Sequence, residues 1–593
     1  MIATIFAVIL TSFLRLGVFA APTVDTRFPY TGPAVPIGDW VDQTINGNGK
    51  GFIRLVEAPA VTPGYKNPTN NINVISLAYM PNGIMIHFQT PFGIGGEPCV
   101  DWGLASDCLS TNTKGYTHTQ FFHEVALTNL KPGTKYYYRI PGGNGTSESQ
   151  IMSFTTARAA GDSGSFVVAL INDLGYTNAI GTHTQLLEAV DQGAAFAWHG
   201  GDLSYADDWF YGILPCAAGE VCYNGSASTL PNTPPAPFPE SYDTPVPAGE
   251  IPDQGGPNGG DVSSIYETNW DIWQQWMTNI TTKIPYMVNP GNHEATCAEF
   301  DGPNNDLTAY LVNDVINGTA PNSTLDYYSC PASQRNFTAY MNRFHMPGDV
   351  TGGVSNFWYS FDYGLAHFVS FDGETDYYQS PESPFVADLT GNETLPTEKE
   401  THLTNSGPFG YINGSYKINQ NYEQYNWMKA DLAAVNRTKT PWVFAMSHRP
   451  MYSSQVASYQ LHMRNAFEQV FLDYGVDAYF AGHIHWYERM YPMGRNGTIN
   501  YDAVINNHTY TTSPGNSVVH IVNGQAGNIE SHSTLGTDPV LNITMVLNMY
   551  DYGYTKLTVH NATTVQTAFI KGLDGSVSDE FTLIKGNGQS KNC

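Results

Sequence analysis

Five short apolar runs, far apart along the chain, each end on residues of the types that bind metal ions, and no other feature constrains the fold as tightly. SFVVALIND ends at Asp173, AAFAWHGGD at Asp202, IPYMVNPGNH at Asn292 and His293, PWVFAMSH at His448, and VDAYFAGHIH at His483 and His485. Runs of this length bordered by Gly and Pro read as buried strands. After Ala160 they alternate with amphipathic stretches at residues 184–192, 422–435 and 461–474 that read as helices, so the layout is α/β. Open α/β sheets gather their binding groups at the carboxyl ends of strands, where residues remote in sequence meet. The glycines beside these ends permit sharp turns and close approach.

With Tyr205 of the GDLSY segment, the strand ends supply Asp173, Asp202, Tyr205, Asn292, His448, His483 and His485. Three anionic oxygens, an amide oxygen and three imidazoles suffice for two metal ions bridged by one carboxylate. Two ions about 3.5–4 Å apart can activate a water and stabilise the charged oxygens of an in-line phosphoryl displacement. Singly, the motifs have plainer readings: Asp-Leu-Gly is commonly a turn, and Asp202 can cap a helix. GNHE is sharper, and GHIH sharper still, because two His flanking one residue can serve neighbouring ions. The ordered set of five strand ends carries the argument.

Between residues 72 and 156 apolar and polar residues alternate between turn signals, the pattern of a small β-sandwich. Within it, LTNLKPGTKYYYRI resembles the turn and tyrosine-bearing strand of fibronectin type III domains, where a Tyr hydroxyl ties down the preceding loop. Alone, this would suggest a secreted binding or adhesion protein without bound metal or hydrolysis.

Residues 2–20 form a short apolar run broken by Arg15, with small residues before Ala21, and read as a signal peptide cleaved after Ala20. No later stretch is expected to span a membrane, and no lipid-anchor signal is evident. A secreted, glycosylated chain is expected from thirteen Asn-x-Ser/Thr sites: Asn144, Asn224, Asn279, Asn317, Asn322, Asn336, Asn392, Asn413, Asn436, Asn496, Asn507, Asn542 and Asn561. The cysteines fall as near neighbours, which predicts disulfides Cys99–Cys108, Cys216–Cys222 and Cys297–Cys330. Cys593 is left over, either free or paired with another chain. A length of 593 residues calls for more than one domain, and a net charge of -27 argues against nucleic acid or an anionic membrane as partner.

The order DLG, GDLSY, GNHE, a strand-end His and GHIH resembles the purple acid phosphatases of the calcineurin-like metallophosphoesterase superfamily. The resemblance covers most of the chain. It implies a fibronectin type III-like β-sandwich at 21–158 and a metallophosphoesterase domain at 163–545 with two mixed sheets flanked by helices. It also implies a closing segment at 546–593, where YDYGYTKLTVHN is similar to the family's last strands. Tyr205 favours this family over other members of the superfamily, which generally lack the tyrosine.

Carried onto these residues, the resemblance implies that Asp173, Asp202, Tyr205 and His485 hold Fe(III). Asp202 would bridge to a divalent iron, zinc or manganese ion held by Asn292, His448 and His483. Phenolate-to-iron charge transfer would give a purple colour. The implied activity is hydrolysis of small phosphate monoesters, phytate among them, by in-line attack of a metal-activated hydroxide, with His293 binding phosphate or protonating the leaving group. A phosphodiesterase or nucleotide pyrophosphatase with the same centre is the alternative. One departure concerns the acid: the plant-type pattern has two adjacent His about nine residues beyond His448, and Ala457-Ser458 stands there. His462 is the substitute, with an ordinary helix residue as the plainer reading. His199 and His367 sit within apolar strands and read as hydrogen-bonded interior residues. The Pro- and Gly-rich insertion at 210–262 is expected to border the active-site mouth and tune which esters enter. Oligomeric state is not written in the sequence.

Overall fold

The alternating segment after residue 72 folds as two four-stranded antiparallel sheets in the computed structural model, which describes residues 41–42, 54–55, 73–90, 96–117, 122–142, 146–210, 264–297, 334, 337–378, 380–381, 418–530, 532–535 and 537–586. One sheet runs Asn73–Met80, Gly83–Gln89, Phe122–Leu127, Tyr116–Thr117, and the other Met152–Thr155, Lys135–Arg139, Cys99–Gly103, Thr111–Lys114. Leu77, Ile84, Ile86, Val125, Tyr138 and Phe154 fill the interior. The Tyr136 hydroxyl accepts the Lys131 N–H at 2.9 Å, so this tyrosine does tie down the preceding loop. The sandwich docks on the rest of the chain through the Tyr79 hydroxyl, which donates to the Ala195 carbonyl at 3.1 Å, and through Glu124 beside His345 Nδ1 at 2.8 Å.

Beyond Ala160 lie two mixed sheets. In the eight-stranded sheet, Phe166–Ile171, Phe196–His199 and Tyr286–Val288 are adjacent and parallel. Antiparallel to Phe166–Ile171 runs Gly553–Asn561, followed by Thr564–Lys571 and Val577–Ile584, so the end of the chain completes the sheet that its first catalytic strand begins. In the seven-stranded sheet, Ala366–Ser370, Trp442–Met446, Ala478–Ala481 and Val518–Asn523 run parallel in that order. Rings from the two sheets interlock: Phe196 and Trp198 stand 5.1 and 5.3 Å from Phe368, and the Trp198 indole donates to the Ser370 hydroxyl at 2.7 Å. Strands covered on both faces need apolar residues at every position, which explains the unbroken runs of the sequence.

The expected helices form at Ile180–Asp191 and Glu423–Ala434. The third stretch begins earlier than its pattern suggests and is divided: Ser458–Met463, a π segment at Arg464–Glu468, then Gln469–Tyr474, ended by Gly475 at φ 66°. An 18-residue helix at Ser264–Thr281, unanticipated, buries Tyr266, Trp270, Trp273 and Met277.

One disulfide expectation is corrected, since Cys99 and Cys108 are free thiols. Cys99 opens the strand Cys99–Gly103, whereas Cys108 lies in the turn that follows, its carbonyl against Gly103. About 13 Å of extended chain separates the two ends of that strand, and a disulfide needs Cα atoms within about 7 Å. Cys297 is disulfide-bonded. Its expected partner Cys330 lies outside the described residues, as do Cys216, Cys222, Cys593, the leader at 1–20 and residues 211–262 of the insertion. Of the glycosylation sites, Asn279, Asn436, Asn496, Asn507, Asn542 and Asn561 are exposed; Asn144, Asn224, Asn317, Asn322, Asn336, Asn392 and Asn413 lie outside the described residues. Among the described residues no helix is long and apolar enough to cross a membrane.

Candidate metal centre

Three parallel strands of one sheet and two of the other end around a single point. The loops there continue to pair beyond the strands: Leu174 and Gly175 donate to the carbonyls of Asp202 and Leu203 at 3.1 and 3.0 Å, and Gly482 donates to the His448 carbonyl at 2.7 Å. Close approach requires glycine at two positions. A Cβ on Gly291 would stand 2.2 Å from Asp202 Oδ1 and 2.7 Å from the His448 ring, and one on Gly482 would stand 2.2 Å from Asp173 Oδ2. Four of the expected ligands hold left-handed backbone, with φ of 57° at Asp173, 52° at Asp202, 52° at Tyr205 and 68° at His483. Each such residue costs about 1–3 kcal/mol, and strain of this kind clusters at functional sites.

The strained loops bring the side chains together. The Tyr205 hydroxyl lies 3.1 Å from Asp173 Oδ1, 3.2 Å from Asp202 Oδ2 and 3.1 Å from His485 Nε2. Asp202 Oδ2 also lies 3.0 Å from His448 Nε2, and Asp202, His448 and His483 each turn a potential ligand atom into one cluster. Asp202 is thus common to both groups. His448 Nδ1 meets the Gly200 carbonyl at 3.2 Å, which aims Nε2 at the cluster. Asn292 is buried in the turn Asn292–Glu294, and the next residue's N–H donates to Asp202 Oδ1 at 3.0 Å.

The electrostatics favour cations. Burial opposes a charge on His448, yet Asp202 and Asp173 outweigh it and raise its pKa to about 9. Burial, then the charges of Asp173, Asp202 and Glu530, push the Tyr205 phenol well above its usual value, so a phenolate there requires a highly charged cation beside it. Two carboxylates, a phenol and an imidazole on one side, and a shared carboxylate with two imidazoles and a nearby amide on the other, fit a trivalent and a divalent ion.

Further groups around the cluster carried no assigned role in the sequence. Glu294 accepts the N–H groups of Asp202, Leu203 and Gly291, each at 2.8 Å, and clasps the loops that carry Asp202 and Asn292 together. Asp207, two residues beyond Tyr205, meets His293 Nδ1 at 2.9 Å, while His293 Nε2 stands 3.8 Å from Asp202 Oδ2. Glu530 Oε2 lies 3.8 Å from His293 Nε2 and 3.7 Å from His485 Nε2. The acids of GNHE and GDLSYAD adjoin motifs already singled out and were open to detection; Glu530 is marked by nothing local. From the helix Ser458–Met463, Tyr459 meets the site, its ring centroid 5.1 Å from that of His483. His462, three residues on and half-buried, is not part of the Asp202, His448 and His483 cluster. His199 and His367 are hydrogen-bonded interior residues, to the Tyr286 hydroxyl at 2.7 Å and to Asp362 and Asp431 at 2.7 and 3.0 Å.

Comparison with known proteins agrees with this geometry. The family models for the purple acid phosphatase N-terminal domain, calcineurin-like phosphoesterases and the iron/zinc purple acid phosphatase-like protein C match residues 70–156, 166–487 and 517–580. An acid phosphatase of Aspergillus ficuum is 60% identical over 585 residues, 95% of each chain. An Fe(3+)-Zn(2+) purple acid phosphatase of Arabidopsis thaliana is 23% identical over 529 residues, covering 87% of this chain and 84% of its own. The solved structure of a purple acid phosphatase from yellow lupin seeds shares the fold, with a TM-score of 0.55 at 18% identity over 87% of this chain and 75% of the other. The chain belongs to the purple acid phosphatases, dinuclear metal hydrolases of the calcineurin-like phosphoesterases.

Proposed function

We propose that this enzyme is a secreted acid phosphatase that hydrolyses small phosphate monoesters, with Fe(III) held by Asp173, Asp202, Tyr205 and His485. Asp202, Asn292, His448 and His483 hold the divalent ion. The observation that carries the reading is the meeting of the Tyr205 hydroxyl with Asp173, Asp202 and His485 within 3.2 Å, with Asp202 shared by His448. When bound, such a centre supplies an activated water and stabilises the charge of an in-line displacement at phosphorus. The protein's own part is positional and acid–base. Glu294 holds Asp202 between the two groups, and His448 is oriented by the Gly200 carbonyl. His293 is the proton donor to the leaving oxygen: Asp207 holds its Nδ1, so Nε2 faces the cluster beside Glu530. The deep placement of these groups keeps bulk water away from the transfer. The same convergence speaks against a purely adhesive role for the sandwich.

The test is metal content and the visible spectrum of the purified protein. Two metals per chain including iron, and a broad band that Tyr205→Phe abolishes, are expected. A band that survives the substitution would refute the tyrosinate assignment, and comparison of a monoester with a diester separates phosphatase from phosphodiesterase.

A further inference from the structure

Asp208 is not among the ligands of the two ions above. It stands beside Asp207 in the turn Ala206–Phe210, and both carboxylates converge on the Nδ1 of His293, the nitrogen that does not face the dinuclear cluster. Nδ1 lies 2.9 Å from Asp207 Oδ2 and 3.9 Å from Asp208 Oδ2, and the three side chains are 1%, 0% and 3% exposed in the order His293, Asp207, Asp208. Asp207 Oδ1 and Asp208 Oδ2 are buried and accept no hydrogen bond. Among the described residues no Lys or Arg pairs with either carboxylate. Two adjoining carboxylates buried in this way are strongly unfavourable unless a cation lies between them. Two ligands held about 2.1 Å from one ion stand at most about 4.2 Å apart, and both separations from Nδ1 fall inside that limit. One oxygen from each Asp and a nitrogen of His293 lie within 4.8 Å of one another, a group separate from that of Asp202, His448 and His483.

We propose that Asp207, Asp208 and His293 Nδ1 form a third cation site, distinct from the dinuclear centre, that takes zinc. An imidazole nitrogen with two carboxylates suits zinc better than magnesium or calcium, which take oxygen ligands. The ion occupies the place of the proton between Nδ1 and Asp207. His293 then carries its one proton on Nε2, and surrendering that proton would leave an imidazolate, so the filled site silences the proton donor. The site is inhibitory: zinc beyond the two ions that catalysis needs slows turnover. This consequence rests on the role given to His293 in the functional reading above; the binding of the ion does not.

The test uses the purified enzyme with its two metals in place. Equilibrium dialysis against increasing zinc, followed by analysis of zinc and iron, counts the ions, and turnover of a monoester is measured at the same concentrations. Wild type is expected to take up one further zinc per chain at constant iron, with turnover falling as that zinc binds. Asp208→Asn should keep both catalytic metals and the turnover seen without added zinc. Its third zinc should bind at least about tenfold more weakly, and inhibition should move to higher zinc by the same factor. A wild type that takes up no third zinc overturns the proposal without recourse to any variant. So does a third zinc that Asp208→Asn binds as tightly as wild type, because uptake then occurs elsewhere on the acidic surface. A third zinc that needs Asp208 yet leaves wild-type turnover unchanged upholds the site and overturns His293 as proton donor, which keeps the failure of the site apart from the failure of the functional reading.

Discussion

His367 sits on the strand Ala366–Ser370, paired in parallel with the strand that leads to His448. Its Nδ1 meets Asp362 at 2.7 Å, and its Nε2 meets Asp431, on the helix Glu423–Ala434, at 3.0 Å. Burial alone would lower its pKa, but the two carboxylates outweigh burial and raise it to about 9. Against an unfolded value of about 6.5, the difference is worth about 3 kcal/mol, and about 2 kcal/mol after allowing for the solvent exposure of Asp362. Because the folded pKa is the higher one, this stabilisation is fully present below about pH 6.5 and is lost as pH rises toward 9. Asp431→Asn should therefore lower the thermal unfolding midpoint by a few °C at pH 5 and much less at pH 9.5. Thermal scans of wild type and variant at both values check this. Equal differences at the two pH values would refute the reasoning, because a purely steric or packing contribution does not follow the protonation of an imidazole.

Glu294→Gln presents an amide N–H₂ where a carboxylate accepts three backbone N–H groups, so a loss of about 2–4 kcal/mol is expected, with weaker metal retention. Thermal unfolding and metal analysis after dialysis against a chelator would reveal it, and an unchanged midpoint with full metal content would count against the clasp. His293→Ala is expected to lower turnover about a hundredfold or more while metal content stays near two. Asp207→Asn should reduce turnover less and move the alkaline limb of its pH profile to lower pH, since it removes the carboxylate that orients His293 and favours its protonated form. Unchanged turnover in His293→Ala would remove this residue from the reaction.

Much of the site was legible because strand ends in parallel sheets concentrate function. Each apolar run had to be buried on both faces, and each stopped where the backbone turns toward the shared edge, at Asp173, Asp202, Asn292, His448 and His483. The helix Ser264–Thr281 was legible in principle. Its buried positions 266, 270, 273, 277 and 280 keep helical spacing, but the Asn and Thr residues between them mask the pattern. The Cys99–Cys108 pairing failed because nearness in sequence says nothing of reach along an extended strand.

The sequence by itself determined which residue types stand at the strand ends, the alternation that makes the sandwich and the family to which the motifs point. Only the tertiary structure decided that Glu294 clasps two loops, and that Glu530 and Arg449 lie beside His485 and His483. Glu530 approaches from more than two hundred residues beyond His293, and the strand Gly553–Asn561 returns to pair with Phe166–Ile171. Local pattern records how a segment is buried; which buried groups meet depends on how the two sheets are stacked, and that follows from the packing of rings such as Trp198 and Phe368 across the interior.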